Sequence, residues 1–184
     1  NTMPGVPDLY QGCELWDLSL VDPDNRRPVD YEQRIQYLAE IKAKVAQDPL
    51  GLIQELLTTK EDGRIKLFLT TQVLQARKHY LELFQQGNYQ PLQISGKLAN
   101  HIVAFARTYQ DQVAIALIPR FLTSIIQPGE FPLGKNIWQD TQIEFSQAMP
   151  TNWKNLITSQ PIQGSNTLLI GDILEHFPVA LLVG

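Results

Sequence analysis

The sequence predicts an α+β chain in which helices come first and antiparallel strands follow. Apolar residues recur at helical spacing between residues 31 and 86, and short β-rich runs separated by polar turns follow Tyr89. The sequence pattern changes from helical to β-rich near Gly87, so we expect one domain over residues 1–88 and a second over 89–184. A chain of 184 residues is long enough for one large domain or two small ones.

The first thirty residues predict a long ordered loop. Four prolines interrupt it, and a regular helix does not accept proline in its interior: Pro4, Pro7, Pro23 and Pro28. The loop is also dense in hydrogen-bonding and aromatic side chains. Loops of this length inside compact proteins are usually functional.

Three helices are predicted between the loop and Gly87. The first runs over Tyr31–Ala46, with Asp30 as its N-cap and Gln33 completing a capping-box pattern. The second begins at Pro49 and stops before Lys60. The third is the most periodic segment and runs from Arg64 to Gln86, where Gly87 and Asn88 end it.

Short runs rich in β-formers follow, and their spacing suggests a sandwich or an antiparallel barrel. The predicted strands are Tyr89–Ile94, Ile102–Arg107, Val113–Pro119, Ile137–Trp138, Thr141–Phe145, Asn155–Ile157, Thr167–Leu169 and Val179–Val183. Residues 123–135 predict a long loop. Residues 170–177 leave two readings open, a helical turn opened by Asp172 or a linker.

Composition excludes several classes of function. The 15 basic against 19 acidic residues give a net charge of −4 with no basic run, which argues against a nucleic-acid partner. No apolar run approaches the roughly 20 residues that cross a bilayer, and we expect neither a signal peptide nor a membrane partner. The single cysteine, Cys13, excludes an internal disulfide and suits a reducing compartment, so we expect a cytoplasmic protein. Cys13, His79, His101 and His176 have no ligand spacing, so no metal site is predicted.

The loop also carries a family resemblance. GVPDLYQGCE, from Gly5 to Glu14, resembles the Gly-x-Pro-x-x-Tyr-x-Gly-x-Glu segment that ends the eighth strand of the α-amylase superfamily barrel. Its continuation, ELWDLSLVDPDNRRPVDY, is more specific and resembles the maltooligosyl trehalose synthase family. Later stretches fit the same family: GRIKLFL, LFQQGNYQPL, HIVAFAR and FPVALL.

The resemblance implies that the chain is a carboxy-terminal piece of a larger enzyme. Its first part would be the helical end of a (β/α)8 barrel, followed by a β-sandwich-like domain. The enzyme would isomerise the reducing-end α-1,4 bond of a malto-oligosaccharide to an α,α-1,1 bond, without a cofactor. The superfamily's catalytic carboxylates follow the fourth, fifth and seventh strands, so this chain would hold none of them and be inactive alone. Its partners would be the malto-oligosaccharide, bound by the intact enzyme, and the remainder of the barrel.

By the same resemblance, the loop would lie at the barrel mouth and bind sugar. The predicted substrate-binding residues are Trp16, Asp22, Asp24, Asn25, Arg26 and Arg27. Two other roles stay open: the arginines could pair with Asp22 and Asp24 and hold the loop shut, and Trp16 could be a buried anchor. We expect Glu14 to brace backbone amides.

Three other functions remain possible. Another α-amylase-family glucosidase or transglucosidase shares the first motif but should lack the full DPDNRRPVD run. A non-catalytic glycan-binding module would expose Trp138 or Trp153, whereas a purely structural domain would expose neither. Core packing is the expected role of both tryptophans.

Overall fold

The computed structural model describes residues 1–20 and 26–184, with helices dominating before Gly87 and antiparallel strands after it. The chain divides into two compact units. The first contains Asn1 and Val6–Gln75, and the second contains Thr2–Gly5 and Ala76–Gly184. Helices followed by antiparallel sheets confirm the general fold prediction, while the barrel, the sandwich and the domain boundary at Gly87 stay predictions.

Side-chain caps begin the first two helices; the sequence predicted the cap at Asp30 and the start at Pro49, but not the Asp48 cap. Helix α1 spans Tyr31–Gln47, and the Asp30 carboxylate accepts the Gln33 backbone N–H at 2.9 Å. Helix α2 spans Pro49–Thr58, and Asp48 accepts the Gly51 N–H at 2.9 Å. Each cap satisfies a donor that the first turn of a helix leaves without an intrahelical partner.

The predicted helix from Arg64 to Gln86 is two helices, α3 over Arg64–His79 and α4 over Leu81–Gln86. Tyr80 lies between them with φ −104° and ψ 49°, outside the helical region. The hydrogen bonds continue across the break, because the Tyr80 N–H donates to the Ala76 carbonyl and the Phe84 N–H to Tyr80. Since Leu83 and Phe84 also continue the buried pattern, apolar periodicity could not reveal the kink.

The first unit is held by buried side chains and by charged contacts between its helices. Its most buried residues are Leu15, Ile41, Leu52, Ile53, Leu56, Leu67 and Phe68. Glu55 of α2 accepts hydrogen bonds from Lys44 of α1 and Arg64 of α3, and Asp62 also pairs with Arg64. Burial lowers the pKa of the Arg64 guanidinium, but its bonds to Asp62 and Glu55 outweigh this and leave the pKa raised.

The described strands form two antiparallel sheets. The larger has the order β1-β3-β4-β9-β6-β7, and the smaller has the order β2-β5-β8. The strands are β1 Asn88–Pro91, β2 Gln93–Ser95, β3 Ile102–Tyr109, β4 Gln112–Pro119, β5 Gln142–Glu144, β6 Asn152–Asn155, β7 Pro161–Gln163, β8 Thr167–Leu169 and β9 Ala180–Val183.

Both sheets contribute to one hydrophobic cluster. Alternate residues of β3 and β4 enter it, as period-two strands require, together with Ile143 of β5 and Leu168 of β8. Trp138 and Trp153 lie in the same cluster, which confirms their expected core role. The Trp138 indole N–H donates to the Pro132 carbonyl at 2.7 Å.

Three strand predictions need correction, one strand was missed, and one open segment is resolved. Ile137 and Trp138 lie in a helix, α5 Gly134–Trp138, because a two-residue apolar pair carries no period that separates helix from strand. The run Tyr89–Ile94 is split at Leu92, where β1 ends at Pro91 beside β3 and β2 pairs with β5 instead. The strand expected at Asn155–Ile157 is β6, which ends at Asn155, and β7 was not predicted. The open segment after Leu169 begins with a short helix, α6 Ile170–Ile173.

One buried arginine organises the start of the second unit. Arg107 of β3 is 1% exposed and donates to four carbonyl oxygens, those of Thr2, Phe84, Gly87 and Asn88, at 2.8–3.2 Å. Two of these carbonyls lie at the end of α4, where a cation is favoured by the helix dipole. Burial lowers the pKa of this guanidinium. No helix among the described residues is long and apolar enough to cross a membrane.

Candidate functional site

The loop at the start of the first unit and the beginning of α1 enclose a cleft of about 200 Å³, the loop cleft. Its lining is mostly polar and comes from residues 11–19, residues 27–30 and Arg34. Trp16 and Arg27, two of the predicted substrate-binding residues, both line it. This is the place where the described structure brings members of the predicted site together.

Arg34 fixes the wall of the loop cleft. Its Nε donates to Glu14 Oε2 at 2.9 Å, and its two terminal nitrogens donate to the carbonyls of Asp30 at 2.9 Å and Gly12 at 2.7 Å. One planar fork therefore ties the turn at Gly12 to the start of α1. Glu14 binds this guanidinium rather than the backbone amides expected from the sequence.

The turn at Gly12 requires a glycine. Its φ of +89° lies in the left-handed region, where other residues are strained. A Cβ at this position would also lie 3.1 Å from a methyl carbon of Val29. The chain can therefore bring the Gly12 carbonyl to Arg34 while Val29 packs against the turn.

Trp16 is anchored at one edge and exposed elsewhere. Its indole N–H donates to the Lys60 carbonyl at 2.6 Å, and Lys66 Nζ lies 5.6 Å from the ring centroid. A Cβ atom on Gly63 would lie only 2.9 Å from the backbone N of Trp16, so the glycine lets the two segments approach closely. The residue is nevertheless 49% exposed, so it is an anchored but unburied platform.

Asp17 is a polar group of the loop cleft that the sequence prediction omitted. Its Oδ1 accepts the Ser19 hydroxyl at 2.6 Å and the Ser19 backbone N–H at 3.0 Å. The hydrogen bond from the Ser19 hydroxyl is the larger cause and the one from the Ser19 backbone N–H is the second; together they hold the pKa of the Asp17 carboxyl below its usual value. Its Oδ2 binds no described residue. The Asp-x-Ser pattern, which is typical of such turns, was the sequence signal that could have identified Asp17.

The other predicted site residues lie outside the lining of the loop cleft or outside the described residues. Arg26 is exposed and is not part of the described lining of the loop cleft. Asp22, Asp24 and Asn25 lie outside the described residues, so their proposed sugar contacts and pairing with the arginines stay predictions. No group of three metal-ligating side chains occurs within residues 1–20 and 26–184.

The loop cleft thus combines an anchored indole, an ionised carboxylate and the exposed guanidinium of Arg27, while the Arg34 guanidinium is bound into its wall. Carboxylates accept hydrogen bonds from hydroxyl groups and guanidinium forks donate them, while an exposed indole face packs against apolar ring faces. This combination suits a neutral polyhydroxylated ligand.

Comparison with known proteins gives a consistent family. The chain is 35% identical over 165 residues to two Mycobacterium tuberculosis proteins, of strains CDC 1551 / Oshkosh and ATCC 25618 / H37Rv, whose names mark them as candidate maltooligosyl trehalose synthases. The match covers 88% of this chain and 18% of each relative, so the chain spans about a fifth of their length. No family model matches the chain.

A solved structure agrees. A crystal structure of maltooligosyl trehalose synthase matches with a TM-score of 0.59 and 25% sequence identity, over 98% of this chain and 20% of the solved one. The sequence relatives and the structural neighbour therefore name the same enzyme. The chain is homologous to one segment of maltooligosyl trehalose synthases, and it fits a carboxy-terminal portion of these proteins.

Proposed function

We propose that the chain forms the carboxy-terminal part of a maltooligosyl trehalose synthase, a cytoplasmic enzyme that isomerises the reducing-end α-1,4 bond of malto-oligosaccharides to an α,α-1,1 bond. The proposal is carried by the loop cleft, in which Trp16, Asp17 and Arg27 line one polar surface. Its homology to part of that enzyme supports the choice of substrate.

The role of the loop cleft follows from the chemistry of the reaction. A retaining enzyme of this class forms a glycosyl-enzyme intermediate, which either water or a sugar hydroxyl can attack. An isomerase must hold the released glucose and exclude water, whereas a hydrolase need not. We assign hydroxyl binding to the Asp17 carboxylate and the Arg27 guanidinium, and ring packing to Trp16. None of these groups performs the bond exchange, which belongs to carboxylates supplied by the remainder of the enzyme.

The exposed apolar residues of the first unit support a larger parent protein. Leu18 and Leu20 are 87% and 92% exposed, and Ile35 of α1 is 67% exposed. We propose that the remainder of the barrel covers these side chains and that the chain alone has no turnover. Burial of such leucines contributes about 1.5–3 kcal/mol each.

The tryptophans of the second unit argue against a separate glycan-binding module of the kind considered from sequence. Such a module would expose Trp138 or Trp153, yet they are only 0% and 2% exposed. Both therefore serve the core of the β unit. A bracing role for this unit within the proposed enzyme fits their burial, and a glycan contact of this unit would have to use other side chains.

The test replaces Arg27 with alanine in the intact enzyme and measures free glucose and trehalose-ended product from maltopentaose. Loss of one charged hydrogen bond costs about 1.5–3 kcal/mol, enough to shift the partition between water and glucose roughly ten- to a hundredfold. We expect the hydrolysis-to-isomerisation ratio to rise more than total turnover falls.

Arg120→Ala is the matched control, because Arg120 is also an exposed arginine but belongs to the second unit, where its Nε donates to the Asn100 carbonyl at 2.9 Å. It should leave the ratio unchanged. An unchanged ratio in Arg27→Ala, with only thermal stability lost, would assign the loop cleft to architecture and reject its sugar-binding role.

A further inference from the structure

A second cleft lies in the β unit, where β1 leaves the larger sheet and β2 joins the smaller one. This sheet cleft has a volume of about 240 Å³ and is lined by residues 90–93 and 144–146. Its hydrogen-bonding side chains are two amides, a carboxylate and a hydroxyl, on Gln90, Gln93, Glu144 and Ser146. The described lining contains no lysine or arginine, so it offers no cation to an anionic ligand.

Strand register extends the lining into a polar row. Gln93 pairs with Glu144, and Glu144 pairs with Thr167 across the three strands of the smaller sheet. Successive side chains of a strand point to opposite faces, and the neighbouring Ile143 and Leu168 lie in the hydrophobic cluster. Gln93, Glu144 and Thr167 therefore share the outer face.

These polar side chains are not used within the protein. Within the described residues, Gln93, Glu144 and Thr167 make no side-chain hydrogen bond or ion pair with one another or with other residues. Neighbours on one face of paired strands lie about 4.5–5.5 Å apart. The row is thus a rigid set of closely spaced, unused donors and acceptors.

An aromatic pair borders the sheet cleft. Phe145, a lining residue, stacks on Trp153 with ring centroids 5.9 Å apart. Trp153 is only 2% exposed and belongs to the hydrophobic cluster. The stack therefore holds Phe145 against the core at the border of the sheet cleft.

We propose that the outer face of the smaller sheet, together with the sheet cleft, binds a neutral α-glucan chain. Amide, hydroxyl and carboxylate groups bind sugar hydroxyls without requiring charge on the ligand, and Phe145 offers an apolar edge held in place by Trp153. The choice of an α-glucan rests on the proposed function, whereas the choice of a neutral glycan rests on this lining.

The test is a titration of the 184-residue chain with maltotetraose, followed by amide chemical shifts in NMR. We expect saturable shifts at residues 90–93 and 144–146. Gln93→Ala and Glu144→Gln should each weaken binding about two- to tenfold, the effect of losing one hydrogen bond. Gln163→Ala is the control, because Gln163 is an exposed glutamine of β7 outside the sheet cleft, and it should bind as the unmodified chain does.

Several outcomes overturn the proposal. No saturable shift at residues 90–93 and 144–146, or unchanged affinity in both variants with unchanged melting temperature, would show that the face is merely solvated. Equally tight binding of cellotetraose would reject the α-glucan. Failure here is separate from failure of the proposed function, since Glu144→Gln in the intact enzyme should leave the ratio of glucose to trehalose-ended product unchanged.

Discussion

In the second unit, large apolar side chains from both sheets converge on one cluster in which Leu117, Trp138 and Leu182 are fully buried. In the first unit, Ile41 and Leu56 are also buried, but Leu18 and Leu20 of the loop are almost entirely exposed. Large contiguous apolar patches on monomeric proteins usually mark interaction sites, and Phe121, the most exposed large apolar residue described in the second unit, is 65% exposed. The comparison indicates that the second unit completes its own core, while the first has a surface that suits further protein.

The largest expected effect compares one leucine from each unit. Leu117→Ala should destabilise the second unit by about 2–5 kcal/mol, because it leaves a cavity in the cluster. Leu20→Ala should change the stability of the isolated chain by less than about 0.5 kcal/mol. Guanidinium unfolding, followed by the near-UV signal of the buried tryptophans for the second unit and by the helical far-UV signal for the first, measures both. Comparable losses of unfolding free energy in the two variants would contradict the proposed difference between the two units.

A smaller effect tests how the second unit holds its polar groups. Arg107→Lys keeps the charge, but one compact ammonium cannot reach the four carbonyls that the guanidinium binds. We expect a loss of about 1–3 kcal/mol, since buried acceptors lose their donors. Arg120→Lys, at an exposed arginine of the same unit, should change little in the same thermal melt. Equal melting temperatures for the two variants would contradict the role of Arg107.

The smallest effect concerns the pH dependence of the first unit. Hydrogen bonds from Lys44, and then from Arg64, hold the pKa of Glu55 below its usual value. A lowered folded pKa gives stability that is present above the unfolded value, near 4.3, and is lost as the pH falls through the folded pKa. Because the pair is partly exposed, its worth is at most about 1 kcal/mol. Below about pH 4.3, helical stability should fall more steeply than in Glu55→Gln, and identical slopes would contradict the account.

Local chemistry made much of the helical part predictable. Asp30 and Asp48 cap their helices through atoms within three residues, so the sequence alone indicates both starts. The split at Leu92 was not predictable, since it depends on β1 and β2 joining different sheets. The kink at Tyr80 was hidden for a different reason: its hydrogen bonds and buried pattern continue on both sides.

The candidate site shows the same division. Trp16 and Arg27 were identified from a motif, and both line the loop cleft. Arg34 was missed because its importance arises from contacts with Gly12 and Glu14, which lie 22 and 20 residues earlier in the chain. A charged residue on an amphipathic helix gives no sign of such contacts.

The most direct test of the central claim measures activity on maltopentaose for the 184-residue chain, for the remainder of the parent enzyme, and for the two co-expressed. If the chain completes a maltooligosyl trehalose synthase, neither part alone will form trehalose-ended product, and the co-expressed parts will form it. Leu20→Glu in the chain should prevent this recovery, whereas Gln163→Ala should not. Turnover of maltopentaose by the isolated chain above a blank, or no product from two folded and associated parts, would contradict the account.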